Sequence, residues 1–319
     1  MGIWDRSDLS TPWALHVAVT LRIAEHIQDG KSEIGELAAA AGADPDYLCR
    51  LLRHLVETGV FTEPEPGRFA LNEEARELLE PGVRLGMDLD GFGGRMAGAW
   101  STMLSAVRTG RPAYYQAFGR PYWDDLAANP EIAEKFDELM GPAGHGIPDG
   151  SVLLNESDWQ GIGTVVDVGG GTGALLAEIL RARPAVRGIL VDLPATVARS
   201  AKVFSDAGVA DRATVSAQSF FDALPAGADL YILKSILANW QEPELLAILR
   251  RVADAARPSG KVIVYVNEKP APGLMMMVLL GGKEYGLEEF RKLALQAGLE
   301  VTASGRSRSG RFLAECRPI

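Results

Sequence analysis

Residues Thr164–Leu180 read TVVDVGGGTGALLAEIL, and this stretch decides the fold. A short β-rich run, Thr164–Val168, leads into Gly169-Gly170-Gly171-Thr172-Gly173, and a helix is expected from about Ala174. Glycines at a strand-to-helix turn let the backbone approach a ligand closely and aim helix N-terminal N–H groups at it. Gly169, Gly171 and Ala174 also satisfy the dinucleotide pattern G-x-G-x-x-G/A, so the loop alone leaves the ligand open.

Working outward, GILVD (Gly188–Asp192), ATVSA (Ala213–Ala217), LYIL (Leu230–Leu233) and KVIVYV (Lys261–Val266) are further β-rich runs, with helical stretches between all but one pair. That alternation predicts an α/β fold with a mostly parallel sheet covered on both faces. The tail LEVTASGRSRSGRFLAEC (Leu299–Cys316) reads as two strands joined by a polar turn, an antiparallel addition to one side of the sheet.

Asp192 ends the strand after the glycine loop, where an acid can accept both hydroxyls of a ribose. Ser219-Phe220-Phe221 follows the third strand, and an aromatic there can flank an adenine. A dehydrogenase would also need a hydride-transfer partner, and neither a zinc-ligand cluster nor a Tyr-x-x-x-Lys pair occurs. Cys49 and Cys316 lie far apart in no ligand-like spacing, so reduced thiols and no metal are expected.

The first part of the chain reads almost entirely as helix. TPWALHVAVTLRIAEHI (Thr11–Ile27) predicts one amphipathic helix with Trp13, Val17, Leu21, Ile23 and Ile27 on its apolar face. Ser32 with Glu33 and Glu36 gives a capping signal for the next helix, Gly42 ends it, and Asp44-Pro45 opens another carrying Leu48, Leu51, Leu52 and Leu55. VFTEPEPGRFAL then predicts a hairpin around Pro64–Gly67. Helix, turn, helix, hairpin is a winged-helix pattern, in which Arg50, Arg53 and His54 would face a nucleic-acid groove. The segment is rich in Glu, however, and the net charge of the 319-residue chain is −10, which argues against nucleic acid and anionic membranes alike. Residues 87–140 continue as helix, with aromatic residues enough to line an apolar pocket. LMMMVLLGG (Leu274–Gly282) is far shorter than the roughly 20 residues of a membrane helix. A cytoplasmic protein is expected, with domains at residues 1–157 and 158–319.

Together TPWALHVAVTLRIAEHI, GRPAYYQAFGRPYWDDLAANPEIAEKFDELM, VVDVGGGTG, VDLP, SFFDALPAGADLYILKSILANW, RPSGKVIV and GGKEYGLEEF carry a resemblance over nearly the whole chain. The protein resembles small-molecule S-adenosylmethionine-dependent O-methyltransferases of the plant caffeate/flavonoid type, and most of all the actinobacterial branch acting on aromatic polyketides. The resemblance implies a Rossmann-like methyltransferase sheet and an N-terminal winged-helix domain that forms a homodimer rather than binding DNA. It implies cofactor contacts at Gly169, Gly171, Asp192, Leu193, Ser219, Phe220 and Lys234, with Ser219 standing where relatives carry an acid. Trp100, Met103, Tyr115, Trp240 and Met276 are the candidates for contact with a small aromatic substrate.

The catalytic positions depart from that pattern. Plant members carry His-Asp-Trp where this chain has Ala238-Asn239-Trp240, and their first orienting glutamate falls on Val266. The second remains as Glu284, and the segment before Leu274 is shortened. Asn239 is then a hydrogen-bonding positioner, and His145, the one imidazole outside the N-terminal module, is with Glu284 a further catalytic candidate, as a substitute base. General-base assistance contributes about 10²–10⁴-fold, whereas alignment of reactants contributes up to roughly 7–11 kcal/mol. Methyl transfer to an already acidic hydroxyl by positioning alone is the expected chemistry. The alternative is a relative that binds the cofactor without transferring methyl, a hydroxylase/decarboxylase or cyclase.

Overall fold

The structure is a computed structural model and describes residues 2–141, 159–266, 268, 272–306 and 312–319. The chain divides into two compact units. One holds the residues up to Gly98 together with Asn129–Leu139; the other holds Ala99–Ala128 and the chain from residue 159 onward.

In the first unit, the helix Pro45–Glu57 begins as its sequence dictates. The Asp44 carboxylate accepts from the N–H groups of Asp46 (3.0 Å) and Tyr47 (3.1 Å), and Pro45 occupies the first turn. Leu48, Leu52 and Leu55 are buried along one face. The hairpin forms as β1 (Phe61–Glu65) and β2 (Arg68–Leu71), paired antiparallel.

Two local readings need correction. Thr11–Ile27 is not one helix: Ser10–Thr20 and Ile23–Gln28 are separated at Arg22, whose φ is +56°. The buried stripe of the first piece is Ala14, Ala18 and Val19, while Trp13 stays 46% exposed. Small residues there let the helix approach Pro45–Glu57, and the break turns Ile23 and Ala24 into the core. The helix Ile34–Ala41 is preceded by Glu33 rather than capped by Ser32, because Glu33 bridges to Arg68 and the Ser32 carbonyl accepts from Phe69 N–H. Residues 87–140 are mostly helical as expected, in short pieces interrupted at Gly110, Gly119 and Asn129.

The second unit is built on a seven-stranded sheet: β3 (Thr164–Val168), β4 (Arg187–Asp192), β5 (Ala213–Ala217), β6 (Leu230–Leu233), β7 (Lys261–Tyr265), β8 (Leu299–Arg306) and β9 (Phe312–Pro318). Its order is β5-β4-β3-β6-β7-β9-β8, parallel through β7, with β9 antiparallel to β7 and β8 antiparallel to β9. This is the α/β, Rossmann-like sheet with an antiparallel C-terminal addition. Apolar runs without alternation arise because both faces are covered. Val166, Val168, Tyr231 and Leu233 pack under the helix Glu242–Ala256, and Val165, Leu230 and Ile232 pack under Ala174–Ala182. The strand order reverses between β3 and β6, and open sheets of this kind bind ligands at the C-terminal edge of that reversal.

Candidate functional site

At the C-terminal end of β3 the backbone turns sharply through Gly169 (φ +67°), Gly171 (φ +62°) and Gly173 (φ +87°) before the helix starts at Ala174. Gly169 needs its missing side chain twice over. Its φ lies in the left-handed region, and a Cβ would fall 2.5 Å from Ile236 Cδ1 and 3.3 Å from Phe220 Cε1. Ile236 and Phe220 thus converge on the first glycine from beyond β6 and from beyond β5.

Asp192 closes the other side. Its Oδ2 accepts from Gly171 N–H at 2.8 Å and its Oδ1 from Leu193 N–H at 2.7 Å. Burial raises the carboxyl above its ordinary range, opposed by these two N–H groups. A carboxylate has about four acceptor positions, so each Asp192 oxygen retains capacity for one more donor, as a ribose requires. The glycine cradle, the half-filled carboxylate and the aromatic ring at its edge fit the nucleoside cofactor implied by the resemblance. Leu193 is 46% exposed beside Asp192. The Ser219 hydroxyl is engaged by Phe221 N–H at 3.2 Å, holding the Phe220-Phe221 turn.

Beyond β6, Ser235 has φ +59°, an uncommon conformation for a residue with a side chain, and a short 3₁₀ turn, Leu237–Asn239, follows. Asn239 Nδ2 donates to the Ser235 carbonyl at 3.2 Å, which leaves its Oδ1 as the acceptor facing outward from that bond. Trp240 anchors an aromatic wall. Phe220 and Phe221 meet it edge-on at 5.8 and 4.9 Å, and Trp123 lies nearly parallel to it at 6.4 Å.

The Glu284 loop is fixed on this rim by contact. A Cβ at Gly282 would stand 2.1 Å from the Ala238 carbonyl oxygen and 2.7 Å from Trp240 N, and Tyr285 Oη donates to the Trp240 carbonyl at 3.3 Å. Burial pushes the Tyr285 phenol up to about 12, so it remains a donor at neutral pH. Glu284 is half-buried between these two anchors.

The structure therefore gathers Gly169, Phe220 and Trp240 into one cluster, Gly171, Asp192 and Leu193 into a second, and Asn239 with the Glu284 loop into a third. Met276 lies half-buried on the helix Leu274–Leu279, against which the turn Trp100–Thr102 and the helix Met103–Thr109 pack. Met103 is half-buried on that wall, while Trp100 and Tyr115 are 41% and 53% exposed. Lys234 is half-buried beyond β6 and interacts electrostatically with Asp167 on β3. His145 lies outside the described residues. Sequence reasoning missed Gly282, whose signal was the glycine doublet before Lys283-Glu284, and Asp167, an acid inside an apolar strand. Among the described residues no helix is long and apolar enough to cross a membrane.

Comparison with known proteins places this geometry in context. Residues 100–300 match the O-methyltransferase domain model and residues 7–81 the O-methyltransferase dimerisation domain. The chain is 40% identical over 313 residues to the 2,7-dihydroxy-5-methyl-1-naphthoate 7-O-methyltransferase of Streptomyces carzinostaticus, covering 95% of this chain and 94% of that one. It is 36% identical over 322 residues to the aclacinomycin 10-hydroxylase RdmB of Streptomyces purpurascens, covering 95% and 84%. The crystal structure of the O-methyltransferase NcsB1 from neocarzinostatin biosynthesis, in complex with S-adenosylmethionine and 2-hydroxy-5-methyl naphthoic acid, superposes with a TM-score of 0.92. The identity is 38%, with 100% of this chain and 99% of that chain covered.

Proposed function

The chain belongs to the S-adenosylmethionine-dependent O-methyltransferase family, and from that premise we propose that it methylates an acidic hydroxyl on a fused aromatic natural product. The observation that carries this reading is the rim: Asn239 offers an amide held by Ser235 beside the aromatic wall of Trp240, Phe220 and Trp123, and the resemblance puts Ala238 where plant members carry a histidine. The naphthoate acceptor of the Streptomyces carzinostaticus relative supports the substrate class.

When bound, S-adenosylmethionine supplies an electrophilic methyl on a sulfonium, whose departure needs no acid. Asp192 holds the ribose with its remaining acceptor positions, and Phe220 flanks the adenine. Gly169 lets the cofactor approach the backbone. Asn239 Oδ1 accepts the hydrogen bond of the acceptor hydroxyl and sets its direction. An amide does not take the proton, so the hydroxyl must be acidic enough to lose it to water. Trp240 and Trp123 exclude solvent from one side, and Met103 and Met276 contribute apolar wall. Glu284 is carried to the rim by its neighbours Gly282 and Tyr285. A second copy pairs through the dimerisation domain at residues 7–81.

The test is formation of S-adenosylhomocysteine from naphthoic and anthracycline-like acceptors graded by hydroxyl acidity. Turnover is expected to rise with acidity at fixed shape; equal rates on simple and acidic phenols would sink the mechanism. Ala238→His should accelerate a weakly acidic phenol by about 10²–10⁴-fold and leave an acidic one unchanged, read as kcat by product chromatography. A second reading, oxygen insertion without methyl transfer, is favoured by the similarity to a 10-hydroxylase. Methyl-labelled S-adenosylmethionine separates the two, since label in the product excludes it.

A further inference from the structure

Asp167 stands second from the end of β3, at the strand reversal, and the reading so far gives it no task. It is 1% exposed. Its carboxyl is tucked directly beneath the glycine loop: a Cβ at Gly170 would fall 2.4 Å from Asp167 Oδ2 and 2.5 Å from its Cγ. Oδ2 is buried with no hydrogen-bond partner. Negative charge on that oxygen cannot be held cheaply, because no hydrogen bond replaces the water it has lost.

The ionisable groups facing it are two. Lys234, just past β6, favours the charged form, and Asp192, at the end of β4, opposes it. The helix Ala174–Ala182, packed over the same face of β3, brings Leu176 and Ile179, while its own Glu178 is half-buried and its Arg181 exposed, and neither shifts Asp167. Burial dominates, and the carboxyl is pushed up to about 7. In the free protein it is a protonated acid through mildly acidic pH, placed under a cradle built for a ligand.

Resting on the cofactor assignment above, we infer that capture of the cofactor's cationic amino-acid end over the glycine loop is coupled to loss of the Asp167 proton. The ammonium takes over the electrostatic role of the proton, which passes to water; no bond to carbon forms or breaks. A cation over the loop adds a second opposite charge, beside Lys234, for the orphaned oxygen. Cofactor affinity therefore falls as pH drops below about 7, by up to tenfold per pH unit. The ordinary α-amino group, with its own value near 7.7–8.0, stays charged over that range.

The experiment is titration calorimetry on the full chain at pH 6.5 in two buffers of different ionisation enthalpy. S-adenosylhomocysteine is one probe, and methylthioadenosine, which keeps the nucleoside but lacks the amino-acid end, is the other. Release of roughly one-half to one proton per S-adenosylhomocysteine bound is expected, and none with methylthioadenosine. Asp167→Asn should bind S-adenosylhomocysteine without proton release and with a flat affinity between pH 5.5 and 7. Equal release with both probes, or from the Asn variant, would overturn the coupling, as would no release in the parent. Should the Asn variant fail to fold, the two probes on the parent chain still decide. Absence of any S-adenosylhomocysteine binding sinks the cofactor assignment, whereas binding without proton release sinks this inference alone.

Discussion

Asp192→Ala is expected to weaken S-adenosylmethionine binding by about 10²–10⁴-fold. The carboxylate has two oxygens, each already holding one backbone N–H, at Gly171 and Leu193. Two ribose hydroxyls add a charge-assisted hydrogen bond apiece, worth about 1.5–3 kcal/mol each. Their loss alone accounts for the range, before any loosening of the glycine loop. Asp192→Asn keeps one acceptor and should fall between the parent and the Ala variant. Calorimetry of cofactor binding checks both, and binding by the Ala variant within threefold of the parent would remove Asp192 from the site.

The stability of the free protein should move the other way. Burial raises the Asp192 carboxyl above its unfolded value, so the folded chain binds a proton more tightly than the unfolded one. That ionisation lowers stability as pH rises from the ordinary carboxylate range through the raised value. Asp192→Asn lacks the loss, and its melting temperature should drop less than the parent's as pH rises out of the ordinary carboxylate range. A defect in cofactor binding together with this flatter profile separates a ligand-holding acid from one that holds the fold.

Gly282→Ala is expected to reduce kcat/KM by about 10²-fold while leaving cofactor affinity within about threefold. The added Cβ would meet the Ala238 carbonyl oxygen at 2.1 Å and Trp240 N at 2.7 Å, both backbone atoms that no rotamer change can move. Relief requires displacing the rim or the Glu284 loop by about 1 Å, and a misplacement of that size near the reacting groups costs about 10²-fold. The cofactor cradle at Gly169 and Asp192 is built from other strands and should be untouched. Gly35→Ala serves as the control, since a Cβ there meets nothing within 4 Å. Full activity of the Gly282 variant would mean that the rim does not position the acceptor.

The cofactor cradle was legible because it is local. Strand, glycines, helix and the acid at the next strand's end occupy one continuous stretch, and their chemistry follows from backbone freedom and residue type. The sheet was legible for a related reason: strands buried on both faces must be apolar throughout, as β6 is from Leu230 to Leu233. The helical part was less so, because apolar periodicity marks a face without saying where the chain breaks. Nothing in Thr11–Ile27 announces the turn at Arg22 or the choice of Ala14 and Ala18 over Trp13 as the buried stripe.

By itself the sequence determined the α/β sheet and the glycine turn from Gly169 to Gly173 that leads into the helix at Ala174. Those are properties of composition and near-neighbour spacing. Only the tertiary structure decided what the rim is made of. Trp123 reaches Trp240, Gly282 touches Ala238, and Asp167 is sealed beneath Gly170 with one oxygen unpaired. Each depends on which strands become neighbours and how closely their backbones approach. Packing also sets the local dielectric, and it turned an acid in a strand into a group that titrates near neutrality.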